Sequence, residues 1–208
     1  MTLEACVGNL NEAINAEKLG AHQIELCDRL DLDGISPSLE MVKNVSANLN
    51  IPIKVIINPN PYNYVYSSND IQEILQYVKK LNELPIHGIV FGPLTKDELP
   101  DELAIKKIAE NTNLPITYHK AIDSSKDILE STRILLNQNI VRFILSSGGE
   151  RTAIEGADRL REMQSILNNS SIKVIGAGKI TADNLNNLHG HTQLSYYHGK
   201  KIVGDLNP

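Results

Sequence analysis

Short runs of apolar and β-branched residues recur along the chain, and the stretches between them space their apolar residues as on one face of a helix. The stretch that contains Ile71, Ile74, Leu75, Val78 and Leu81 shows this helical spacing. The apolar runs predict eight strands, at residues 3–7, 24–27, 53–57, 88–91, 116–118, 141–145, 172–175 and 194–197. Strands and helices are therefore expected to alternate along the whole chain.

Turn and capping residues mark the ends of the predicted helices. Ser67 to Asp70 supply capping residues before the helix at Ile71, and Gly20 ends the first helix just before the second strand. Eight alternating units favour a single (β/α)₈ barrel, or TIM barrel, over a doubly wound sheet. Because no linker-like stretch divides the chain, we expect one domain over residues 1–208.

The segment after the eighth predicted strand is too short for a full helix. It runs from Lys200 to Pro208 and contains Gly204, and both glycine and proline disfavour helix. We therefore expect a barrel shortened at its C-terminus, with the eighth helix missing. Such a gap would expose apolar surface beside the eighth strand, so that we also expect a homodimer or higher homo-oligomer that covers it.

Composition and charge narrow the class of protein. Apolar residues make up 41% and charged residues 22%, without a run of about 18 apolar residues, which predicts a soluble protein and no membrane partner. A net charge of -5 with dispersed lysines and arginines argues against nucleic acid. The N-terminus has an acid at Glu4 and no signal-like apolar segment, which predicts a cytoplasmic location. There, two cysteines are expected to be thiols.

Side chains alternate between the two faces of a strand, and this places polar residues inside the predicted barrel. Glu4 and Cys6 share one face of the first strand, and Glu25 and Cys27 share one face of the second. The opposite faces are apolar and suit contact with helices, so the glutamates and cysteines are expected to face inward. The cysteines come at the carboxyl end of the barrel, where barrel enzymes build their sites.

The same alternation predicts which residues, most of them polar, lie on the inner faces of the other strands. They are Lys54 and Asn58 on the third strand, His119 at the end of the fifth, Arg142, Ile144 and Ser146 on the sixth, and His198 at the end of the eighth. A buried carboxylate needs a partner, and Lys54 and Arg142 are the available cations for Glu4 and Glu25. An ionic core without chemistry, with the cysteines as small apolar filler, is the alternative.

Two glycine turns suggest an anion site at the same end. Gly148 and Gly149 follow the sixth strand, Gly176 and Gly178 flank the turn after the seventh, and TIM barrels often bind phosphate in this region. Lysines 120, 179 and 200 lie on adjoining loops. These features support an enzyme acting on a small anionic, phosphorylated metabolite, with acid/base groups at His119, Glu4, Glu25 and Lys54. Tight turns without a ligand are the alternative for the glycines.

Six short motifs, in their order and spacing, resemble a known family. They are Leu3-Glu4-Ala5-Cys6, Ile24-Glu25-Leu26-Cys27-Asp28-Arg29-Leu30, Asp33-Gly34-Ile35-Ser36-Pro37-Ser38, Gly88-Ile89-Val90-Phe91-Gly92-Pro93-Leu94-Thr95, Thr117-Tyr118-His119-Lys120-Ala121-Ile122-Asp123 and Ile144-Leu145-Ser146-Ser147-Gly148-Gly149. The chain resembles the copper homeostasis protein CutC family from the first strand through the eighth.

This resemblance implies a cytoplasmic TIM barrel associated with copper tolerance, for which no enzymatic reaction is established. It also implies Cu(I) bound through Cys6 and Cys27, in keeping with the preference of thiolates for Cu(I). The family's His119 and Asp123 are present, and we count Asp123 among the candidate ligand-binding residues. The segment 58–62 replaces a family segment with two arginines, which removes two cations from the barrel mouth.

A copper homeostasis protein that binds Cu(I) through two thiols is thus the main hypothesis. The barrel enzyme described above is the alternative, and a scaffold that acts by assembly alone is a third.

Overall fold

The computed structural model describes residues 1–32, 34–61 and 63–207. Asp33 of the third motif, Tyr62 of the 58–62 segment and the terminal Pro208 lie outside the described residues. The strands of the described part are β1 (Thr2–Val7), β2 (Gln23–Leu26), β3 (Ile53–Ile56), β4 (Gly88–Val90), β5 (Ile116–Tyr118), β6 (Phe143–Ser146), β7 (Lys173–Gly176) and β8 (Tyr196–Gly199). They pair in chain order, all in parallel, and β8 pairs with β1 to close a barrel.

Helices alternate with these strands. They are α1 (Leu10–Lys18), α2 (Leu39–Ser46), α3 (Ser68–Leu81), α4 (Glu102–Ala109), α5 (Ile128–Gln138), α6 (Ala157–Ile166) and α7 (Ala182–Thr192). Two 3₁₀ turns, Leu30–Leu32 and Lys120–Ser124, follow β2 and β5. No helix follows β8 in the described residues, so the predicted TIM barrel without its eighth helix is confirmed.

Helix α3 shows how local sequence sets these elements. The Ser67 side chain accepts a hydrogen bond from the Asp70 N–H, and the Asp70 carboxylate accepts one from the Ser67 N–H. The apolar positions recognised in the sequence, Ile71, Ile74 and Val78 among them, are buried against the barrel. The capping box thus begins the helix where the sequence predicted it.

Strands β6 and β8 begin two residues later than predicted. Val141 and Leu194, which the apolar runs assigned to these strands, are buried in the preceding loops and belong to the core between helices and barrel. An apolar residue in such a loop extends the run seen in the sequence beyond the strand itself. A shift of two residues leaves the alternation of side chains unchanged, but on β6 it leaves Arg142 outside the strand.

The barrel separates two apolar regions. The larger one lies between the strands and the helices and contains the outward residues of the strands, such as Ala5, Leu26 and Ile144. Inside the barrel are two small clusters. One consists of Cys6, Cys27, Ile56 and Val90 with Leu30, and the other of Leu145, Ile175 and Ala177 with Phe143 and Tyr196. Charged side chains contact both clusters, since Glu25 lies next to Cys27 and Lys54 lies over Phe143.

The segment after β8 packs along α1. Ile202 and Leu206 are buried in the main core, Asn15 Nδ2 donates to the carbonyl of Leu206 over 2.9 Å, and Asn207 Nδ2 donates to Glu12 over 2.9 Å. The expectation that the missing helix leaves this gap uncovered is therefore wrong, because an irregular segment covers it. None of the helices in the described ranges has the length and apolar character needed to cross a membrane.

Candidate functional site

A cavity of about 790 Å³ opens at the carboxyl end of the barrel. Its volume lies within the range of small-molecule sites, about 300–1,000 Å³. Strand ends and the loops that follow them line it, and the candidate residues among them are Cys6, Glu25, Cys27, Asn58, His119, Asp123, Gly178 and His198. The inner-face prediction for β1 and β2 thus agrees with the position of this cavity.

The two cysteines form one corner of the cavity. Cys6 lies opposite Glu25 in the β1–β2 register, so Cys27 comes two residues further along the neighbouring strand. The sulfur atoms are 3.7 Å apart, and the Cys27 thiol donates to Glu25 Oε1 over 3.3 Å. Both cysteines are free and buried, and they pack against Ile56 and Val90. The fold therefore places two thiols side by side.

Glu4 lies deeper and has three side-chain partners. Lys54 Nζ forms an ion pair with Oε2 at 2.7 Å, Gln23 Nε2 donates to the same oxygen over 2.6 Å, and His198 Nδ1 is 2.9 Å from Oε1. Lys54 also lies over the ring of Phe143, 4.3 Å from its centroid. Lys54 is the cation that the sequence analysis assigned to this carboxylate.

Arg142 does not take part, and this expectation is wrong. It is exposed and precedes β6, whose inner residues are Phe143 and Leu145. Because Phe143 and Leu145 face the interior, the alternation places Ile144 and Ser146 on the outer face, toward the helices, opposite to the expectation from the sequence. His198, on β8, provides the second cationic partner of Glu4 instead.

Burial and charge together set the ionisation of the interior. Burial alone would raise the pKa of Glu4, but the charge of Lys54 and the hydrogen bond from His198 lower it to about 2. Burial raises the pKa of Glu25 to about 7, against the opposing charge of His198. Burial would lower the pKa of His198, but Glu25, Cys6 and Glu4 raise it well above its usual value. The two glutamates and Cys6 thus favour the imidazolium form of His198.

The two thiols differ in acidity. The hydrogen bond from Cys27 lowers the pKa of Cys6 to about 5, despite burial, and His198 adds to this effect. The same hydrogen bond, together with burial, raises the pKa of Cys27 well above its usual value. The pair thus favours a thiolate at Cys6 and a protonated thiol at Cys27.

The turn that contains Gly148 and Gly149 already holds an anion, which is the carboxylate of Asp123. It accepts hydrogen bonds from the Ser146 hydroxyl (2.6 Å), the Ser147 hydroxyl (2.9 Å), the Ser147 N–H (3.0 Å) and the Gly149 N–H (3.0 Å). The Gly148 N–H donates to the Ser146 hydroxyl over 2.8 Å. The expectation that Ser146, Gly148 and Gly149 bind a ligand is therefore wrong, because a protein side chain occupies their donors.

Gly176, Gly178 and Asn58 differ in whether they line the cavity and whether their polar groups are available to a ligand. A Cβ on Gly176 would lie 3.2 Å from Leu194 and Tyr197, so this glycine faces the helix layer and does not reach the cavity. Gly178 lines the cavity. Asn58 also lines it, but its amide donates to the Gly34 carbonyl over 2.8 Å and accepts from the Tyr66 hydroxyl over 3.4 Å. Its side chain holds neighbouring loops together.

His119 begins the 3₁₀ turn after β5. Its Nδ1 accepts a hydrogen bond from the Ala121 N–H over 3.1 Å, and Tyr64 packs on its ring with centroids 5.1 Å apart. Burial lowers the pKa of His119 to about 4, so that the ring is neutral and carries its proton on Nε2. Nε2 is buried and has no hydrogen-bond partner among the described residues.

Two residues of this region escaped the sequence analysis. Gln23 shares the inner face of β2 with Glu25 and Cys27, and the same alternation could have identified it as a partner for Glu4. Arg151 lies in the loop after β6 and lines the cavity, but it is exposed and nothing in its neighbouring sequence distinguishes it.

Two groups of residues in the described structure could hold a metal ion. Cys6, Glu25 and Cys27 bring their ligand atoms within 4.8 Å of one another, and so do Glu4, Glu25 and His198. In the second group Glu4 is already neutralised by Lys54 and His198. The first group contains two sulfur atoms and suits a soft ion such as Cu(I).

The chain is similar to known proteins over almost its whole length. The sequence matches the CutC family over residues 1–203. It is 32% identical to the mouse copper homeostasis protein cutC homolog, covering 88% of this chain and 67% of that protein. It is 30% identical to the Caenorhabditis elegans homolog, covering 99% and 82%. The crystal structure of the putative copper homeostasis protein CutC from Streptococcus agalactiae has a TM-score of 0.90 at 27% identity, covering 97% and 99%.

Proposed function

The chain belongs to the CutC family, and from this premise we propose that it acts in copper homeostasis by binding Cu(I) through Cys6 and Cys27. The observation that carries the proposal is the pair of buried sulfur atoms 3.7 Å apart on neighbouring strands. Thiolates select Cu(I) over the hard cations that carboxylates prefer. Copper is in this proposal the cargo of the protein.

The charges around the thiols support this role. Cys27 and His198 stabilise the charge of the Cys6 thiolate and so favour that form before the ion arrives. Binding through both sulfurs requires Cys27 to lose its proton, and a metal ion promotes such a loss. Glu25, whose Oε1 lies 3.3 Å from the Cys27 sulfur, is placed to receive that proton. Ile56 and Val90 keep this corner apolar.

Competitive titration of the reduced protein against a colorimetric Cu(I) chelator tests the proposal. We expect one Cu(I) per chain, and a loss of affinity of about tenfold or more in Cys6→Ser and in Cys27→Ser. Ile56→Val is the matched control, since it alters the same apolar cluster and keeps both thiols. If both serine variants retain the wild-type affinity, the thiols are not the ligands and the proposal fails.

The proposed function also includes where the protein acts and how it assembles. We place the protein in the cytoplasm, where reducing conditions keep Cys6 and Cys27 as thiols. We also retain a homodimer or higher homo-oligomer as a prediction from the sequence. The acid/base roles of His119, Glu4, Glu25 and Lys54 stay predictions too.

A further inference from the structure

The cavity is much larger than a metal ion and extends beyond the two thiols. The thiols lie on β1 and β2, whereas much of the remaining wall comes from the loops after β5, β6, β7 and β8. These loops bring five cationic side chains to the cavity, namely Lys120, Arg151, Lys179, Lys200 and Lys201. Only two carboxyl groups, Glu25 and Asp123, line it in the described structure. In a chain of net charge -5, the mouth of the barrel is thus a local site for anions.

Three of these five cations have partners within the protein. Lys120 pairs with Asp123 at 3.5 Å, Lys200 Nζ donates to the carbonyl of Leu30 over 2.8 Å, and Lys201 pairs with Asp205 at 3.6 Å.

Arg151 and Lys179 form no ion pair with any residue in the described ranges. They lie on the consecutive loops after β6 and β7, and both are exposed. They are therefore available to a ligand from solution.

His119 adds a second, independent feature within the same cavity. The residue is 5% exposed, and its Nε2–H has no acceptor in the part of the chain that the structure describes. A buried donor without an acceptor destabilises a fold, because its contact with water is lost and not replaced. An oxygen atom of a bound molecule would satisfy it.

We propose that this cavity binds a small phosphorylated compound, whose phosphate contacts Arg151 and Lys179 and whose oxygen-bearing remainder accepts a hydrogen bond from His119 Nε2. A phosphate suits the two cations because a guanidinium can donate two parallel hydrogen bonds to it and an ammonium adds a point charge. The volume of about 790 Å³ accommodates a sugar phosphate. The proposal uses neither thiol, so it stands apart from copper binding.

Calorimetric titration of the metal-free protein with D-ribose 5-phosphate, inorganic phosphate and D-ribose tests this site. We expect D-ribose 5-phosphate to bind with a Kd of about 1 mM or below, inorganic phosphate to bind more weakly, and D-ribose not to saturate. Higher salt should weaken both phosphate-bearing probes, since the cations are exposed. Absence of saturable binding by either phosphate-bearing probe would overturn the proposal, as would D-ribose binding as tightly as its phosphate.

Variants locate the site. Arg151→Gln combined with Lys179→Gln should weaken both phosphate-bearing probes by about tenfold, whereas Lys106→Gln on α4, an exposed lysine without an ion pair in the described structure, should leave them unchanged.

His119→Asn preserves an oxygen that can accept the Ala121 N–H. It removes Nε2, the donor that we propose contacts the ligand. It should weaken D-ribose 5-phosphate to the level of inorganic phosphate and leave the latter unaffected. Wild-type affinities in the Arg151/Lys179 double variant would refute the proposal.

Discussion

Glu4 shows how single residues make a charged barrel interior stable. Its carboxylate is 1% exposed, and Lys54, His198 and Gln23 together satisfy both of its oxygens. Lys54, 5% exposed, depends on Glu4 in turn, because Glu4 is its only ion-pair partner in the described structure. Removing one member of a buried pair leaves the other as an uncompensated charge.

Glu4→Gln should therefore destabilise the protein by about 3–5 kcal/mol in urea unfolding. Glu130→Gln is the matched control, since Glu130 pairs with Arg133 at 3.8 Å on the surface and both side chains are about half exposed. The control should change the free energy of unfolding by less than about 1 kcal/mol. Equal effects of the two substitutions would show that the Glu4–Lys54 pair contributes no more than a surface pair.

At the residue scale, the sequence correctly predicted the inward-facing residues of those strands whose inner face it assigned correctly. Alternation placed Glu4, Cys6, Glu25 and Lys54 inside because β1, β2 and β3 begin within one residue of the predicted position. It failed on β6 because both faces of this strand carry apolar residues, so the pattern did not show that Phe143 and Leu145, and not Ile144, face the interior. A strand of four residues has too few positions to reveal such an error by itself.

Among the elements, the loop after β6 is held by the 3₁₀ turn after β5. Asp123, in that turn, accepts hydrogen bonds from two serine hydroxyls and two backbone N–H groups of the segment 146–149. The left-handed conformations of Gly148 (φ +74) and Gly149 (φ +79) bring the loop around this carboxylate. Sequence alone recognised an anion-binding turn, but could not show that the anion comes from the chain itself.

Asp123→Asn should lower the free energy of unfolding by about 1.5–3 kcal/mol, because charge-assisted hydrogen bonds are lost and an amide NH₂ faces donors. Asp97→Asn is the control, since Asp97 is exposed and its side chain has no partner in the described residues. Hydrogen exchange of the Ser147 and Gly149 amides measures the local effect. Unchanged exchange at both amides in Asp123→Asn would contradict this account of the loop.

On the scale of the whole molecule, barrel closure creates the site. Glu4 and His198 are 194 residues apart in the chain and lie opposite each other in the β1–β8 register. The eight alternating units predicted this closure, but the pairing of these two side chains depends on the register of the last strand. The apolar pattern predicted no register between β1 and β8, so the sequence identified His198 without identifying its partner.

The segment after β8 takes the place of the eighth helix and buries two apolar side chains. Ile202 and Leu206 are 1% and 4% exposed within the main core, so Ile202→Ala and Leu206→Ala should each destabilise the protein by about 2–5 kcal/mol. Lys201→Ala, at an exposed neighbour, is the control.

Light scattering at micromolar concentration should show the same assembly for wild type and control, because this segment already covers the core beside β8. If a homodimer forms, its interface should therefore survive Leu206→Ala. Dissociation of the dimer by Leu206→Ala, in a variant that remains folded by circular dichroism, would place the interface on this segment and contradict its role as an internal cover.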